Sequence, residues 1–242
     1  MIELKLEDIQ KVESLFDEIF GASWFLEQVK QGIGSIYIED KNTNTAVMMT
    51  PSSEYFFVGT YDEDFLKEAL NHIQTQIIPQ LEDPIGFFYY DSIHWHDGLI
   101  RWIEQPIDIE HGRYLTRQYY RLNLNKYDEC KRQLNKIDDN YQLKIESNPY
   151  KVMYLYQEQI VGFAVDNGLS NGIMDIDVYT HENHRKKGLA LHTTTKLIDY
   201  CLHQGWTPQW ACWTANHASV SLAKKLGFEL LDSQLVIFVS YV

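Results

Sequence analysis

The feature that most constrains the fold is a strand that leads through a cationic, glycine-containing loop directly into a helix. An apolar run with alternating aspartates over residues 173–179 predicts the strand, and apolar residues at helical spacing over 189–202 predict the helix. Between them the chain reads Arg185-Lys186-Lys187-Gly188-Leu189-Ala190. Glycine lets the backbone approach an anion closely, and the free N–H groups and dipole of a helix start attract it. The loop therefore predicts a diphosphate site.

The loop lacks the signatures of two common nucleotide sites. It is neither G-x-x-x-x-G-K-[ST] nor G-x-G-x-x-G, so nucleoside triphosphates and dinucleotides are disfavoured as ligands. A second motif follows further along the chain, where Asn216-His217-Ala218-Ser219 leads to Leu226-Gly227-Phe228. The loop pattern alone has little specificity, whereas the two motifs in this order along the chain are specific.

In this order the motifs resemble the GCN5-related N-acetyltransferase (GNAT) superfamily. Its acyl-CoA loop reads [QR]-x-x-G-x-[GA], and its later N-x-x-[AS] helix ends in a Gly-Phe pair. The matching residues are Arg185, Gly188 and Ala190 for the loop, then Asn216, Ser219 and Gly227-Phe228. More narrowly, the stretches 175–180, 185–190 and 208–228 resemble the zwittermicin-resistance-type GNAT subfamily.

The resemblance implies an α+β chain with a GNAT fold, a mixed and mostly antiparallel sheet flanked by helices, in the C-terminal half. It also implies acetyl-CoA as cosubstrate, with the backbone N–H groups of Val178 and Thr180 holding it and polarising the thioester carbonyl. The loop would hold the diphosphate, and Asn216 would contact the pantetheine arm. The cofactor-binding residues expected on this basis are Val178, Tyr179, Thr180, Arg185, Lys186, Lys187, Gly188, Leu189, Ala190, Asn216 and Ser219.

Three side chains on the predicted motif strand are candidates for catalysis. Asp175, Asp177 and Tyr179 are two residues apart, so they share one face of the strand. Two neighbouring carboxylates raise one pKa, which suits a general base acting directly or through water. The alternatives are that the aspartates bind a cationic substrate or pair with an arginine, and that Tyr179 only packs.

One position departs from the usual GNAT pattern. Many members carry a tyrosine four residues before the glycine of the Gly-Phe pair, as the acid that protonates the leaving thiolate. This chain has Ala223 there, as the subfamily does. Tyr179, Cys212 and His217 are possible substitutes. A non-catalytic acyl-CoA-binding module and an aminoacyl or longer-acyl transferase on paired GNAT-like domains are the alternative functions.

Charge divides the chain into two predicted domains. Residues 1–112 contain 6 Lys and Arg against 21 Asp and Glu, whereas residues 113–242 contain 15 against 13. We therefore expect a smaller acidic α+β domain over 1–112 and the GNAT domain over 113–242. The acidic half disfavours nucleic acid and favours a small cationic amine as acceptor, held where the domains meet. Acidity that only maintains solubility is the alternative.

Metal, membrane and disulfide signals are weak. Cys130, Cys201 and Cys212 have no metal-ligand spacing, and Cys212 is expected to be an inert buried thiol. His94 and His96 would chelate from a strand but lack a third ligand, so no metal is predicted. Apolar runs are far shorter than the roughly 20 residues that span a bilayer. No secretory signal is visible, and a reducing, cytoplasmic location is expected.

Local patterns predict the remaining elements. Apolar spacing predicts a helix from Leu6 to Phe20, and the cluster 41–44 predicts a turn between two hairpin strands. Residues 99–104 are predicted as a strand after an Asp97-Gly98 turn. The aromatic stretch 87–90 is expected to be core, with a contribution to an acceptor pocket beside Asp91, Asp97 and Glu104 as an alternative.

Overall fold

The computed structural model describes residues 1–39, 42–103 and 109–241. Its contacts group into two compact units, Met1–Thr116 with Gln234–Val242, and Arg117–Ser233. The long strands β6 (Ile109–Leu122) and β12 (Phe228–Tyr241) each continue from one unit into the other. The predicted domains 1–112 and 113–242 stay a prediction.

The first unit is a sheet with helices on both faces. Phe25 of the first helix packs against Phe56 with 5.0 Å between the ring centroids, whereas the neighbouring Phe57 on the opposite face packs with the two later helices. Its strands pair in the order β1, β2, β3, β4, β5 and the C-terminal part of β12, and only the β4–β5 pair is parallel. Apolar residues of α2 and α3 pack with strand residues into one core. The elements are β1 Ile2–Glu3, α1 Ala22–Lys30, β2 Ser35–Glu39, β3 Asn42–Met49, β4 Glu54–Gly59, α2 Glu63–His72, β5 Ile85–Tyr90 and α3 Ile93–Ile103.

The second unit has the strand order β6, β11, β10, β9, β8 and β7. All neighbours are antiparallel except β10 and β11, which are joined by the crossover helix α5. One sheet face packs against α4, α5 and α6 in a single core. The elements are α4 Leu124–Arg132, β7 Gln142–Ser147, β8 Tyr150–Tyr156, β9 Gln159–Ser170, β10 Ile173–Thr180, α5 Leu189–His203, β11 Thr207–Trp213 and α6 His217–Lys225.

The predicted fold class is confirmed, because both units combine helices with a mostly antiparallel sheet. The predicted hairpin is present as β2 and β3. Its turn was placed wrongly at 41–44, because Asn42, Thr43 and Asn44 belong to β3, and Lys41 lies outside the described residues. Within the second unit, each predicted strand and helix of the motif region has a counterpart. The spacing of apolar residues, with a period of two for strands and 3.6 for helices, was therefore enough to locate the elements of this region.

Two further local predictions were wrong. Residues 6–20 form short 3₁₀ turns, Leu6–Lys11 and Glu13–Phe16, because Val12 leaves the helical region at φ −125° and ψ −3°. The predicted strand after Asp97 is instead part of α3. Gly98 does not make a turn there: a Cβ at this position would lie 2.7 Å from Leu66 Cδ2, so the glycine permits close packing between helices. Glu104 lies outside the described residues.

Candidate functional site

The candidate site is a cleft that opens where β10 and β11 separate. The two strands pair in parallel only at Ile173–Asp175 with Thr207–Gln209. Beyond this point the two strands are no longer paired with each other, while β10 remains paired with β9 and β11 with β6. The space between the diverging strand ends is a cleft of about 790 Å³. This volume lies within the range of roughly 300–1,000 Å³ that is typical of small-molecule sites.

The backbone of β10 offers hydrogen-bonding groups along one wall of the cleft. The His181 N–H donates to the Val161 carbonyl at 2.9 Å, so this amide points towards β9. Because successive amides of a strand point to opposite edges, the N–H groups of Val178 and Thr180 point away from β9, towards the cleft. The hydroxyl oxygen of Thr180 is buried and has no partner among the described residues. This edge can therefore pair with an extended, amide-containing ligand.

The loop after β10 forms an anion-binding concavity at the start of α5. Lys186 and Gly188 both have left-handed backbones, with φ 61° and 84°. Such conformations turn neighbouring N–H groups towards a common point. Gly188 is the N-cap of α5, and no side chain caps the amides of the first turn. The first helical N–H groups also have no acceptor within the helix, so they remain to bind an anion.

The three cations of the loop have different environments. Arg185 and Lys186 line the cleft, and the Arg185 Nε donates to the Thr180 carbonyl at 3.2 Å. Lys187 does not line the cleft. Its Nζ donates to the Tyr141 hydroxyl at 2.8 Å, and this hydrogen bond raises the pKa of Lys187. The structure thus directs two of the three cations to the cleft.

The opposite wall of the cleft is formed by β11 and α6. Asn216 caps α6: its Oδ1 accepts from the Ser219 N–H at 3.1 Å. The Ser219 hydroxyl in turn accepts from the Trp210 Nε1–H at 3.0 Å. All three residues line the cleft. The hydroxyl of Ser219 therefore fixes the position of the Trp210 ring. The capping contact uses the Oδ1 of Asn216, so the side-chain NH₂ of Asn216 remains to bind a ligand.

Replacing Asn216 separates its two roles. We expect Asn216→Ala to lower the free energy of unfolding by about 1 kcal/mol, because the cap is lost. Asn216→Ser keeps a capping oxygen, so its stability should stay close to wild type while the amide NH₂ is absent. Urea denaturation measures the first effect and acetyl-CoA titration the second. Equal destabilisation by both substitutions would contradict the capping role.

The acidic candidates occupy different positions relative to the cleft. Asp177 is exposed and lines the cleft together with Tyr179, whose side chain is also exposed. Asp175 does not line the cleft; it is half-buried, and its carboxylate accepts from the Asn167 Nδ2 at 3.2 Å. Burial raises the pKa of Asp175, although the Asn167 hydrogen bond and the charge of Arg117 oppose this. Asp177 is thus the carboxylate that a ligand can touch.

The raised pKa of Asp175 predicts a pH-dependent stability. The folded state binds this proton more tightly than the unfolded chain, so protonation of Asp175 stabilises the fold. This stabilisation is fully present below the unfolded pKa of about 3.9 and is lost as the pH rises through the pKa of the folded state. We therefore expect Asp175→Asn to be more stable than wild type at pH 7, with a smaller difference at pH 4. Urea denaturation of both proteins at the two pH values measures this. A difference that does not change with pH would contradict it.

Sequence reasoning missed Arg117 and Trp213, which also line the cleft. The two residues are directly opposite each other in the β6–β11 pair, and the Arg117 guanidinium carbon lies 4.9 Å from the Trp213 ring centroid. The alternation of Arg117, Tyr119 and Arg121, which is typical of a strand, was the available signal. Their proximity to the motif residues depends on a strand pairing between distant parts of the chain, which the sequence pattern does not specify.

The three substitutes considered for the usual GNAT tyrosine differ in position. Ala223 itself is fully buried in the core of the second unit and does not line the cleft. His217 is exposed but is not among the lining residues, so it is poorly placed. Cys212 lines the cleft as a buried free thiol, and burial raises its pKa. Tyr179 lines the cleft, its side chain is exposed, and its phenol hydroxyl is a possible proton donor.

The histidines of α3 are not arranged as metal ligands. His96 has both ring nitrogens engaged, Nδ1 with Asp97 Oδ1 at 2.8 Å and Nε2 with the Tyr114 hydroxyl at 2.9 Å. His94 is two residues away on a helix, so it points in a different direction. Within residues 1–39, 42–103 and 109–241, no cluster of three or more His, Cys, Asp or Glu side chains could hold a metal ion. The same described residues contain no helix long and apolar enough to cross a membrane.

The parallel pair of the first unit ends differently from that of the second. The Asp91 N–H donates to the Phe57 carbonyl at 3.3 Å, and the Asp91 carboxylate accepts from the Gly59 N–H at 2.5 Å. These bonds join the ends of β4 and β5 instead of letting them separate. The following helix, α2, is capped by Asp62, whose carboxylate accepts from the Phe65 N–H at 2.7 Å. A carboxylate occupies the place where an anionic ligand would bind.

Comparisons with known proteins agree with this geometry. The sequence model of the GNAT acetyltransferase family matches residues 146–235. The uncharacterized N-acetyltransferase YdfB of Bacillus subtilis (strain 168) is 23% identical over an alignment of 259 positions, which covers 98% of this chain and 97% of the relative. A crystal structure of a GCN5-related N-acetyltransferase-like protein from Streptococcus suis 89/1591 has a TM-score of 0.69 at 20% identity and covers 96% of this chain and 98% of its own.

A tandem GNAT protein from the clavulanic acid biosynthesis pathway is also similar, with a TM-score of 0.61 at 10% identity over 99% of this chain and 97% of its own. At these identities the structural matches establish the fold. Together with the family match over 146–235, they support a GNAT-family N-acetyltransferase, as the sequence motifs predicted. The narrower zwittermicin-resistance-type subfamily stays a prediction.

Proposed function

We propose that the protein transfers an acetyl group from acetyl-CoA to the amine of a small molecule. The observation that carries this proposal is the combination of a free strand edge and an anion-binding helix start in one cleft. The N–H groups of Val178 and Thr180 face the cleft, and the left-handed loop at Lys186 and Gly188 lies at its end. A pantetheine arm has amides for the first feature, and a diphosphate suits the second.

The residues of the cleft have distinct roles in this proposal. When bound, acetyl-CoA supplies an activated thioester. The Val178 and Thr180 amides orient it and polarise its carbonyl, and the loop from Arg185 to Ala190 holds its diphosphate. Asp177 removes the proton from the attacking amine, directly or through water. The Tyr179 hydroxyl protonates the leaving thiolate, because Ala223, at the usual tyrosine position, has no proton to donate.

A small cationic acceptor suits the sheet face that carries Asp177 and Tyr179. The Phe163 and Tyr179 rings lie 5.5 Å apart between their centroids on this face. The ammonium group of Lys151 lies 4.1 Å from the Phe163 ring centroid, so a cation of the protein occupies that ring, and the Tyr179 ring is the aromatic group offered to an acceptor. Asp177 adds negative charge nearby. An aminopolyol or amino sugar combines the amine, the charge and the size that such a surface favours.

A thiol-release assay tests the proposal. Purified protein is incubated with acetyl-CoA and a panel of amines, including amino sugars, aminopolyols, polyamines and amino acids. We expect free CoA to be released with at least one amine, and mass spectrometry to show that this amine has gained an acetyl group. Tight cofactor binding without transfer to any amine in the panel would contradict the transferase proposal.

Two other functions are favoured by particular observations. The buried Ala223, which cannot serve as a proton donor, favours a non-catalytic acyl-CoA-binding module. Such a module would bind acetyl-CoA and release no CoA in the assay above. The similarity to a tandem GNAT protein over 99% of this chain favours a paired GNAT-like scaffold, on which the alternative is an aminoacyl or longer-acyl transferase. That enzyme would use acetyl-CoA poorly and a longer acyl-CoA well, which the same assay measures.

A further inference from the structure

A second cavity in the same unit has a strongly basic lining. It has a volume of about 490 Å³ and lies between the end of α4 and the start of α5. Four lysines line it, Lys136, Lys186, Lys187 and Lys225, together with His192. No carboxylate is among the described residues of its lining. Four like charges around one concave space attract a compact polyanion.

This basic cavity adjoins the cleft. Lys186, Gly188, Leu191 and Lys225 line both of them. A ligand whose diphosphate lies on the loop at Gly188 can therefore extend from the cleft into the basic cavity. The extending part has to carry negative charge to match the lysines.

The charges of the cavity are only weakly neutralised by the protein. Lys136 pairs with Asp139 at 2.7 Å, but the two side chains are 80% and 83% exposed, so this pair contributes little. Lys187 is held by the neutral Tyr141 hydroxyl. His192 donates from Nε2 to the Asn135 carbonyl at 2.6 Å, which fixes its ring at the cavity wall. A net positive charge thus remains for a ligand.

We infer that the basic cavity binds the phosphomonoester on the ribose of coenzyme A through Lys136, Lys187 and Lys225. A phosphomonoester has close to two negative charges and three acceptor oxygens, which matches several ammonium groups around one concave space. The inference rests on the proposed function, because it assumes that acetyl-CoA occupies the cleft. It adds that the protein selects acetyl-CoA over its 3′-dephospho form.

Calorimetric titration of the full chain tests this inference. Wild-type protein is titrated with acetyl-CoA and with 3′-dephospho-acetyl-CoA, and we expect the second to bind about tenfold more weakly, because charge-assisted contacts are lost. Lys136→Gln and Lys225→Gln should each weaken acetyl-CoA binding by roughly three- to tenfold and leave the affinity for the dephospho form unchanged. Lys224→Gln is the matched control, since Lys224 is exposed, adjacent to Lys225 and absent from both linings.

The outcomes separate this inference from the proposed function. Equal affinity of wild type for the two cofactors would overturn the inference and leave acetyl-CoA binding in the cleft intact. Equal weakening of both cofactors by Lys136→Gln and Lys225→Gln would also overturn it, since the lysines would then act on another part of the molecule. Failure of wild type to bind either cofactor would overturn the proposed function as well.

Discussion

Replacing Gly188 by aspartate is expected to weaken acetyl-CoA binding by about a hundredfold or more, which corresponds to about 3 kcal/mol. The new carboxylate would lie at the helix start that is proposed to hold the diphosphate. It would repel the diphosphate and compete for the same N–H groups. The effect should be large because several backbone contacts are lost at once. Calorimetric titration of the folded variant with acetyl-CoA measures it.

Gly205→Asp is the matched control for this substitution. Gly205 also has a left-handed backbone, with φ 78°, and no atom lies within 4 Å of a Cβ added there. Gly188 has a similar backbone, with φ 84°, but a Cβ added there would lie 3.3 Å from Ile137 Cδ1, the end of a flexible side chain. Both variants should lose about 1 kcal/mol of stability from backbone strain. Only Gly188→Asp should lose the cofactor, and wild-type affinity in that folded variant would show that the diphosphate binds elsewhere.

Replacing Asp177 by asparagine is expected to lower kcat by about a hundredfold, the lower end of the range for removing a general base. Acetyl-CoA affinity should change little, because the cofactor contacts assigned to this strand come from the backbone. The variant is assayed with the acceptor that the amine panel identifies. Saturation kinetics then separate a loss of kcat from a change in binding.

Asp175→Asn is the control for Asp177→Asn. Both aspartates are on β10 and share one sheet face, but only Asp177 lines the cleft. We expect Asp175→Asn to retain turnover within a fewfold of wild type. If Asp177→Asn were fully active, Asp177 would not be the base. A large loss in Asp175→Asn alone would assign the base role to the half-buried carboxylate, acting through water.

The second unit was largely predictable because local signals there agree with one another. The alternating aspartates of β10, the glycine at the start of α5 and the N-cap Asn216 each specify a local geometry. Their order along the chain then specifies the topology. Even the direction of the Val178 and Thr180 amides follows from the strand period once the pairing with β9 is known.

The first unit was less predictable, because burial and local conformation conflict there. Residues 6–20 have helical apolar spacing, and Ile9, Val12 and Phe16 are indeed buried, but the backbone departs from a helix at Val12. Gly98 has the local signature of a turn, yet it permits close contact between α3 and Leu66. In both cases tertiary packing overrides a local preference.

Within the site, sequence patterns identified residue types better than their environments. Asp175 and Asp177 are equivalent in the sequence, and only the structure separates a half-buried carboxylate from one that lines the cleft. Lys187 belongs to the same cationic run as Arg185 but is directed to Tyr141, a residue 46 positions earlier. Such differences depend on contacts between distant segments, which periodicity does not encode.

The most direct test of the account is calorimetric titration of the purified protein with acetyl-CoA, alongside free CoA and NAD. We expect acetyl-CoA to bind with a micromolar Kd at one site per chain, free CoA to bind comparably, and NAD not to bind. One site is expected because the first unit places Asp62 where the second unit has its anion-binding loop. A well-folded sample that binds no acetyl-CoA would contradict the assignment of the cleft and the transferase proposal with it.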